Sequence, residues 1–75
     1  MKISIEYCNH WNYFPKASSL EKYLKGKYDT QVELISSGGG VFEVRLDEKL
    51  IFSKKSLGRF PENSEIDELI NNNIV

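Results

Sequence analysis

The sequence predicts an α+β fold with one domain, residues 1–75, in which a four-stranded mixed sheet and two helices follow the order β-α-β-β-β-α. Two patterns of apolar residues lead to this prediction. Four short segments alternate apolar and polar residues, as half-buried strands do, and two longer segments carry apolar residues at every third or fourth position, as amphipathic helices do. The strand–helix–strand beginning favours parallel strands joined by a right-handed crossover, and a later hairpin adds antiparallel strands.

The strands are assigned from alternation and from residue types that favour strands. The first covers residues 2–7 (KISIEY), where Ile3, Ile5 and Tyr7 share one face. The others cover residues 31–36 (QVELIS), 41–46 (VFEVRL) and 49–54 (KLIFSK). The short connection Asp47–Glu48 predicts an antiparallel hairpin between the last two strands. Because this connection contains no glycine, the sequence leaves its turn type open.

The first helix is predicted from apolar residues three and four positions apart, namely Ala17, Leu20, Tyr23, Leu24 and Tyr28. Pro15 is tolerated only in the first turn, where amide groups have no partner within the helix. The helix is therefore predicted to begin near Asn12, a residue type suited to the N-cap, and to end at Gly26 or Asp29.

The second helix is predicted near the end of the sequence. Ser64 followed by Asp67 resembles a capping box. The apolar stripe of this helix consists of Ile66, Leu69, Ile70 and Ile74. The pattern does not decide whether the two helices cover one face of the sheet or both.

Composition excludes several classes of function. The formal net charge is −1, so no overall positive field attracts nucleic acid, and nucleic-acid partners are not expected. No apolar run approaches the roughly 20 residues that span a bilayer, and no signal peptide is found, so we expect no membrane association and a cytoplasmic location. A single cysteine forms no internal disulfide, which fits a reducing compartment.

The strongest candidate for chemistry is Cys8, which is placed after the first strand and before the first helix. Open α/β sheets bind ligands at this edge, and amides at a helix start stabilise a thiolate. His10 adds positive charge there or accepts a proton. The alternative is that Cys8 is simply a buried residue, because free cysteine is among the most buried types. Cys8 and His10 alone are too few ligands for a metal, so no metal site is expected.

At these residues the sequence also resembles the selenoprotein W-related, or Rdx, family. The resemblance lies in IEYC at the end of the first strand, in GGVFEV, in LIFSKK and in GRFPE, which together cover the chain from Ile3 to about Leu69. The resemblance implies a thioredoxin-like fold and thiol redox chemistry. It assigns the first redox position of the family motif to Cys8 and the second to Trp11.

Trp11 departs from the family pattern, because an indole cannot resolve a mixed disulfide as a second cysteine does. If Cys8 reacts, an external thiol such as glutathione must resolve its adduct. No other cofactor is expected. Trp11 is predicted to shield Cys8 or to pack beside it, or to provide a surface for a partner.

Two further segments are candidates for binding. Gly38, Gly39 and Gly40 either offer backbone amides to a thiolate or a peptide, or serve only a turn that needs positive φ. Trp11, Tyr13 and Phe14 make the loop after Cys8 unusually aromatic, and part of this set is expected to be exposed. The basic residues Lys54, Lys55 and Arg59 are solvated surface, or they steer an anionic thiol.

Two functions therefore remain for the chain. The first is a small thiol-redox protein that uses Cys8 as its nucleophile, with glutathione or a protein thiol as partner. The second is a protein-interaction module on a degenerate redox fold, which binds a partner protein through the aromatic residues near Cys8. The resemblance alone does not choose, because one fold supports many functions.

Overall fold

The computed structural model describes residues 1–74 and confirms the α+β fold. Its elements are β1 (Lys2–Cys8), α1 (Phe14–Tyr28), β2 (Gln31–Ser37), β3 (Phe42–Leu46), β4 (Lys49–Ser53), α2 (Lys54–Leu57) and α3 (Asn63–Ile74). Each predicted strand is confirmed to within one residue at either end. The side chain of Ile74, which was predicted to join the last helical stripe, lies outside the described residues, as does Val75.

The sheet has the strand order β2-β1-β3-β4, which makes β1 an inner strand. β1 runs parallel to β2, with Cys8 opposite Ser37, and antiparallel to β3, with Tyr7 opposite Phe42. The parallel pair requires a crossover, and α1 provides it. Cys8 therefore lies at the edge of the sheet where β2 ends and β3 begins.

The main hydrophobic core lies on one face of the sheet. Ile3 and Ile5 of β1 are buried there against apolar residues of α1 and α3. The core cluster consists of Ile3, Ile5, Ala17, Leu20, Leu24, Val32, Phe42, Val44, Leu46, Phe52, Ile66 and Ile70. Both long helices therefore cover the same face, which settles the alternative that the sequence left open. The opposite face carries ion pairs, such as Arg45 with Glu6 at 3.0 Å.

The predicted start of the first helix is wrong by about two residues. Asn12 has φ 44°, a left-handed conformation that asparagine tolerates but that differs from the extended backbone of an N-cap. Tyr13 is the N-cap instead, and its side chain forms no capping hydrogen bond within the described chain. Pro15 lies in the first turn, as predicted, and the helix ends at a left-handed Asp29.

The prediction of two helices is also wrong, because a one-turn helix follows β4. The fourth strand ends at Ser53, one residue earlier than predicted, and α2 begins at Lys54. Gly58 ends α2 with φ 74°, and its N–H donates to the carbonyl oxygen of Lys54 at 2.6 Å. Four residues are too few to show helical periodicity in a sequence, since they span barely one turn.

The predicted capping box at Ser64 and Asp67 is wrong, because α3 begins at Asn63 and Asp67 points into the protein. Asp67 is buried and accepts hydrogen bonds from the hydroxyls of Tyr23 and Tyr28 and from Lys27 Nζ. Burial raises the pKa of Asp67, but these donors outweigh that effect and hold it below its usual value. Burial and the bond to Asp67 raise the pKa of Tyr28 to about 12. This polar cluster joins α1 to α3.

The β3–β4 turn generates the first prediction. Asp47 and Glu48 have φ 50° and 73°, which identifies a type I′ turn built without glycine. Because a left-handed residue with a side chain is strained, Glu48→Gly should raise the free energy of unfolding by about 0.5–1 kcal/mol. Glu48→Ala keeps the strain and is the control. Urea denaturation measures both variants, and equal stability of the two would contradict the assignment.

The cluster around Asp67 generates the second prediction. Because the pKa of this carboxyl is lowered in the folded state, its stabilisation is present above the unfolded value of about 3.9 and is lost as pH falls through the folded pKa. Asp67→Asn should therefore lower the stability by about 1–3 kcal/mol at neutral pH and flatten the loss of stability in acid.

The neighbouring Glu68 on the same helix is exposed, so Glu68→Gln is the matched control for Asp67→Asn. Urea denaturation from neutral pH to below pH 3.9 compares the two variants with the original chain. An acid dependence that Asp67→Asn leaves unchanged would show that another group causes it.

Candidate functional site

Cys8 lies at the end of β1, where the loops cover its side chain. Its residue surface is 1% exposed, as the alternative of a buried cysteine expects. Cys8 nevertheless does not belong to the hydrophobic core cluster. Its N–H donates to the carbonyl of Val41 at 2.8 Å, and the following amide, of Asn9, donates to Ser37 at 3.0 Å. The thiol is therefore held between the turn that follows β1 and the loop that joins β2 to β3.

The surroundings of the sulfur have opposing effects on its acidity. Burial raises the pKa of the Cys8 thiol, but hydrogen bonds from the backbone amides of His10, Gly40 and Trp11 lower it, and the net result is a lowered pKa. These donors come from the loops and not from a helix start, because α1 begins only at Phe14. Backbone amides that converge on one atom form a concave site for negative charge. The site therefore favours a thiolate.

Two glycines of the β2–β3 loop contact the turn at residues 9–12. Gly40 has φ +72°, and a Cβ atom on it would lie 2.6 Å from Cζ3 of Trp11. A Cβ on Gly38 would lie 3.7 Å from Cδ2 of His10. Gly39 has φ +69° and no neighbour within 4 Å of a Cβ among the described residues. Gly40 has the positive φ that the turn interpretation predicts, and its amide is among those that lower the pKa of Cys8. That these glycines offer amides to a bound thiolate or peptide stays a prediction.

His10 is brought near the site, but through its backbone. Its backbone amide is among the groups that lower the pKa of the Cys8 thiol, while its side chain is exposed and lies beside Gly38. Within residues 1–74, the groups that lower the pKa of Cys8 are all backbone amides, and the imidazole is not one of them. A role of the imidazole in proton transfer stays a prediction.

The aromatic residues after Cys8 divide into exposed and packed side chains. Trp11 is 63% exposed and Phe14 is 52% exposed. Tyr13 is half-buried, and its ring meets that of Phe60 edge-on at 4.8 Å between centroids. The expectation that part of this set is exposed is confirmed for Trp11 and Phe14, while Tyr13 packs against the core without belonging to it.

The predicted basic cluster is not a group of free charges. Lys54 Nζ lies 5.4 Å above the ring of Tyr13 and 5.3 Å above that of Phe60. Arg59 forms two hydrogen bonds of 2.7 Å with Glu65. Lys55 is exposed. Lys54 is therefore the basic residue of this set that borders the aromatic residues of the site.

The sequence analysis missed two contributors to the site. Asn9 Nδ2 donates to Ser36 Oγ at 2.6 Å and ties the turn to the end of β2. Phe60 packs edge-on against Tyr13 and borders a groove of about 290 Å³ between α1 and the start of α3. The partners in these contacts are far apart in the sequence, and no local pattern indicates them. Phe60 lies in the GRFPE segment, which carries part of the family resemblance.

Two negative findings apply to residues 1–74. They contain no group of three or more His, Cys, Asp or Glu side chains arranged to hold a metal ion. Over the same range, no helix has the length and apolar character that a bilayer-spanning segment needs.

Comparisons with known proteins agree with this geometry. The model of the Rdx family matches residues 2–72. A crystal structure of a selenoprotein W-related protein from Vibrio cholerae superposes with a TM-score of 0.89 at 26% identity, covering 95% of this chain and 92% of that one. A crystal structure of a protein from Bordetella parapertussis also gives a TM-score of 0.89, at 22% identity and with 97% and 96% coverage, which shows likeness of fold.

A mammalian relative extends the comparison. Migration and invasion enhancer 1 of Bos taurus is 30% identical to this chain over 71 residues, or 93% of this chain. The chain spans 62% of the length of that relative.

Proposed function

The chain belongs to the Rdx family, and from this premise we propose that it is a small thiol-redox protein that uses Cys8 as its single nucleophile. The observation that carries the proposal is the position of Cys8 at the end of β1, where it is held between the turn and the β2–β3 loop. Burial there raises the pKa of the thiol, but backbone amides of these two segments lower it, and the net result is a lowered pKa. Thiolates are the reacting form of cysteine, so a site that stabilises negative charge on sulfur raises the reactive fraction at neutral pH. The thioredoxin-like fold places this site at an edge of the sheet.

The proposed reaction is a two-step disulfide exchange. The Cys8 thiolate attacks the R-bearing sulfur of a disulfide RSSR′, an S–S bond from Cys8 to that sulfur forms as the S–S bond of RSSR′ breaks, and R′S⁻ leaves with the electron pair. An external thiolate then attacks the sulfur of R, which releases the Cys8 thiolate and carries R away in a new disulfide. The net change converts RSSR′ and one thiol into a second disulfide and R′SH.

The external thiol follows from the composition of the chain. Cys8 is the only cysteine, and Trp11 occupies the position of the family's second redox residue, so no internal thiol can resolve the adduct. Glutathione is the proposed resolving thiol, because it is abundant in the reducing compartment that a chain with one cysteine suits. The proposal therefore places the protein in the cytoplasm.

A second function is favoured by the exposed aromatic rings. Trp11 and Phe14 present large exposed apolar surfaces in the segment that follows Cys8, and aromatic residues are enriched at protein interfaces. On this alternative the chain is an interaction module, and Cys8 contributes only to packing.

The acidity of Cys8 provides the third prediction. Because amides lower the pKa of the thiol, the rate of its alkylation by iodoacetamide should reach half its maximum at a lower pH in the folded protein than in the same chain unfolded in guanidinium. The unfolded thiol should titrate near its ordinary value of about 8.5. Intact mass reports the single alkylation, and Cys8→Ser controls for other sites. Equal midpoints for folded and unfolded protein would remove the basis of the redox function.

Oxidised glutathione provides the fourth prediction, which separates the two functions. The redox function predicts that native protein gains one glutathione, that reduced glutathione removes it, and that Cys8→Ser gains none. Modification that occurs only after unfolding would favour the interaction module. In that case, capture of a protein partner should survive Cys8→Ser and disappear in Trp11→Ala.

A further inference from the structure

The indole of Trp11 rests on the backbone of Gly40 although most of the residue is in water. Trp11 is 63% exposed, yet a Cβ on Gly40 would overlap Cζ3 of the ring at 2.6 Å. This contact joins the turn at residues 9–12 to the loop at residues 38–40. The same two segments flank Cys8, whose residue surface is 1% exposed.

Both segments also supply the backbone amides that lower the pKa of the buried Cys8 thiol. The turn provides the amides of His10 and Trp11, and the loop provides the amide of Gly40. We call the arrangement in which the turn lies against the loop the closed state. The closed state covers the sulfur and also keeps these backbone amides close to it. Moving the segments apart would expose the sulfur and separate it from donors at the same time.

From this arrangement we propose that Trp11 is a latch, a positioning residue whose ring holds the turn on Gly40, so that a disulfide reaches Cys8 only after the ring leaves the glycine. The inference rests on the proposed function and adds the regulation of its site. The closed state stabilises the thiolate but covers the sulfur. The open state, in which the ring has left Gly40, gives a disulfide access to the thiol but loses that stabilisation. The exposed face of the indole is where an incoming substrate would act on the latch.

The rest of the domain does not need the latch to fold. Trp11 lies outside the core cluster, and the turn is tied to β2 independently by the hydrogen bond from Asn9 Nδ2 to Ser36 Oγ at 2.6 Å. A substitution of Trp11 should therefore release the loop without unfolding the sheet. This separation makes the proposal testable by substitution.

The fifth prediction concerns the rate and the pH dependence of iodoacetamide alkylation in Trp11→Ala. The rate at high pH, where the thiol is fully ionised, should rise about tenfold because local opening is no longer required. The pH midpoint should move upward, toward that of the unfolded chain, because donors are lost. Trp11→Phe keeps a smaller ring, so its alkylation rate and its pH midpoint should lie between those of Trp11→Ala and the original chain. Leu57→Ala removes another exposed apolar side chain, 53% exposed, and should change neither.

Gly40→Ala tests the same contact from the other side. The added Cβ would collide with the indole, so this variant should reproduce the faster rate and the higher midpoint of Trp11→Ala. Gly58→Ala is the matched control, because Gly58 has φ +74° against +72° for Gly40, with nothing within 4 Å of a Cβ among the described residues. Gly58→Ala bears the same backbone strain and should keep the original rate and midpoint.

The outcomes distinguish a failure of the latch from a failure of the proposed thiol-redox function. The original chain is expected to have a pH midpoint of alkylation below that of the unfolded chain. If neither Trp11→Ala nor Gly40→Ala changes this midpoint, the latch is overturned and the proposed function stays intact. Equal effects of Gly40→Ala and Gly58→Ala would also overturn it, because strain alone would then explain the change. A midpoint in the original chain that equals that of the unfolded thiol would overturn the proposed function, and the latch with it.

Discussion

The pairing of β1 between β2 and β3 is the constraint on which the rest of the structure depends. Parallel pairing with β2 requires a crossover, which α1 supplies, and it brings the end of β1 level with the end of β2. Antiparallel pairing with β3 brings the start of β3 to the same edge. The β2–β3 loop is thereby held beside Cys8, and its glycines reach a thiol that precedes them by about 30 residues.

The sulfur at this edge has an environment that differs from that of a core cysteine. In an apolar core, burial alone would raise the thiol pKa and make the residue inert. Here burial acts together with three backbone amides, and the amides prevail. Loop amides perform the task that was expected of a helix start. The electrostatic stabilisation depends on how closely the turn and the loop approach each other, so it depends on loop conformation more than on the helices.

The family resemblance assigns its second redox position to Trp11, and an indole in place of a cysteine changes what the turn can do. A cysteine there would supply an internal resolving thiol, whereas the indole supplies a large contact surface to Gly40. Gly40 is required for two reasons, because its φ is positive and because the ring of Trp11 leaves no room for a Cβ atom. In the proposed function, resolution of an adduct comes from a thiol outside the chain, and in the proposed latch, access to the sulfur depends on a side chain that is itself mostly exposed.

The sequence by itself determined the order of the four strands and the two long helices, the strand bounds to within one residue, the antiparallel hairpin and the placement of Cys8 at the end of the first strand. These features are local, since apolar periodicity and short connections are written in neighbouring residues. Tertiary structure decided the start of α1, the role of Asp67 as the partner of Tyr23, Tyr28 and Lys27, and the identity of the amides that surround the thiol. Each of these depends on groups that are brought together from distant parts of the chain. Residue type and local spacing do not predict such contacts.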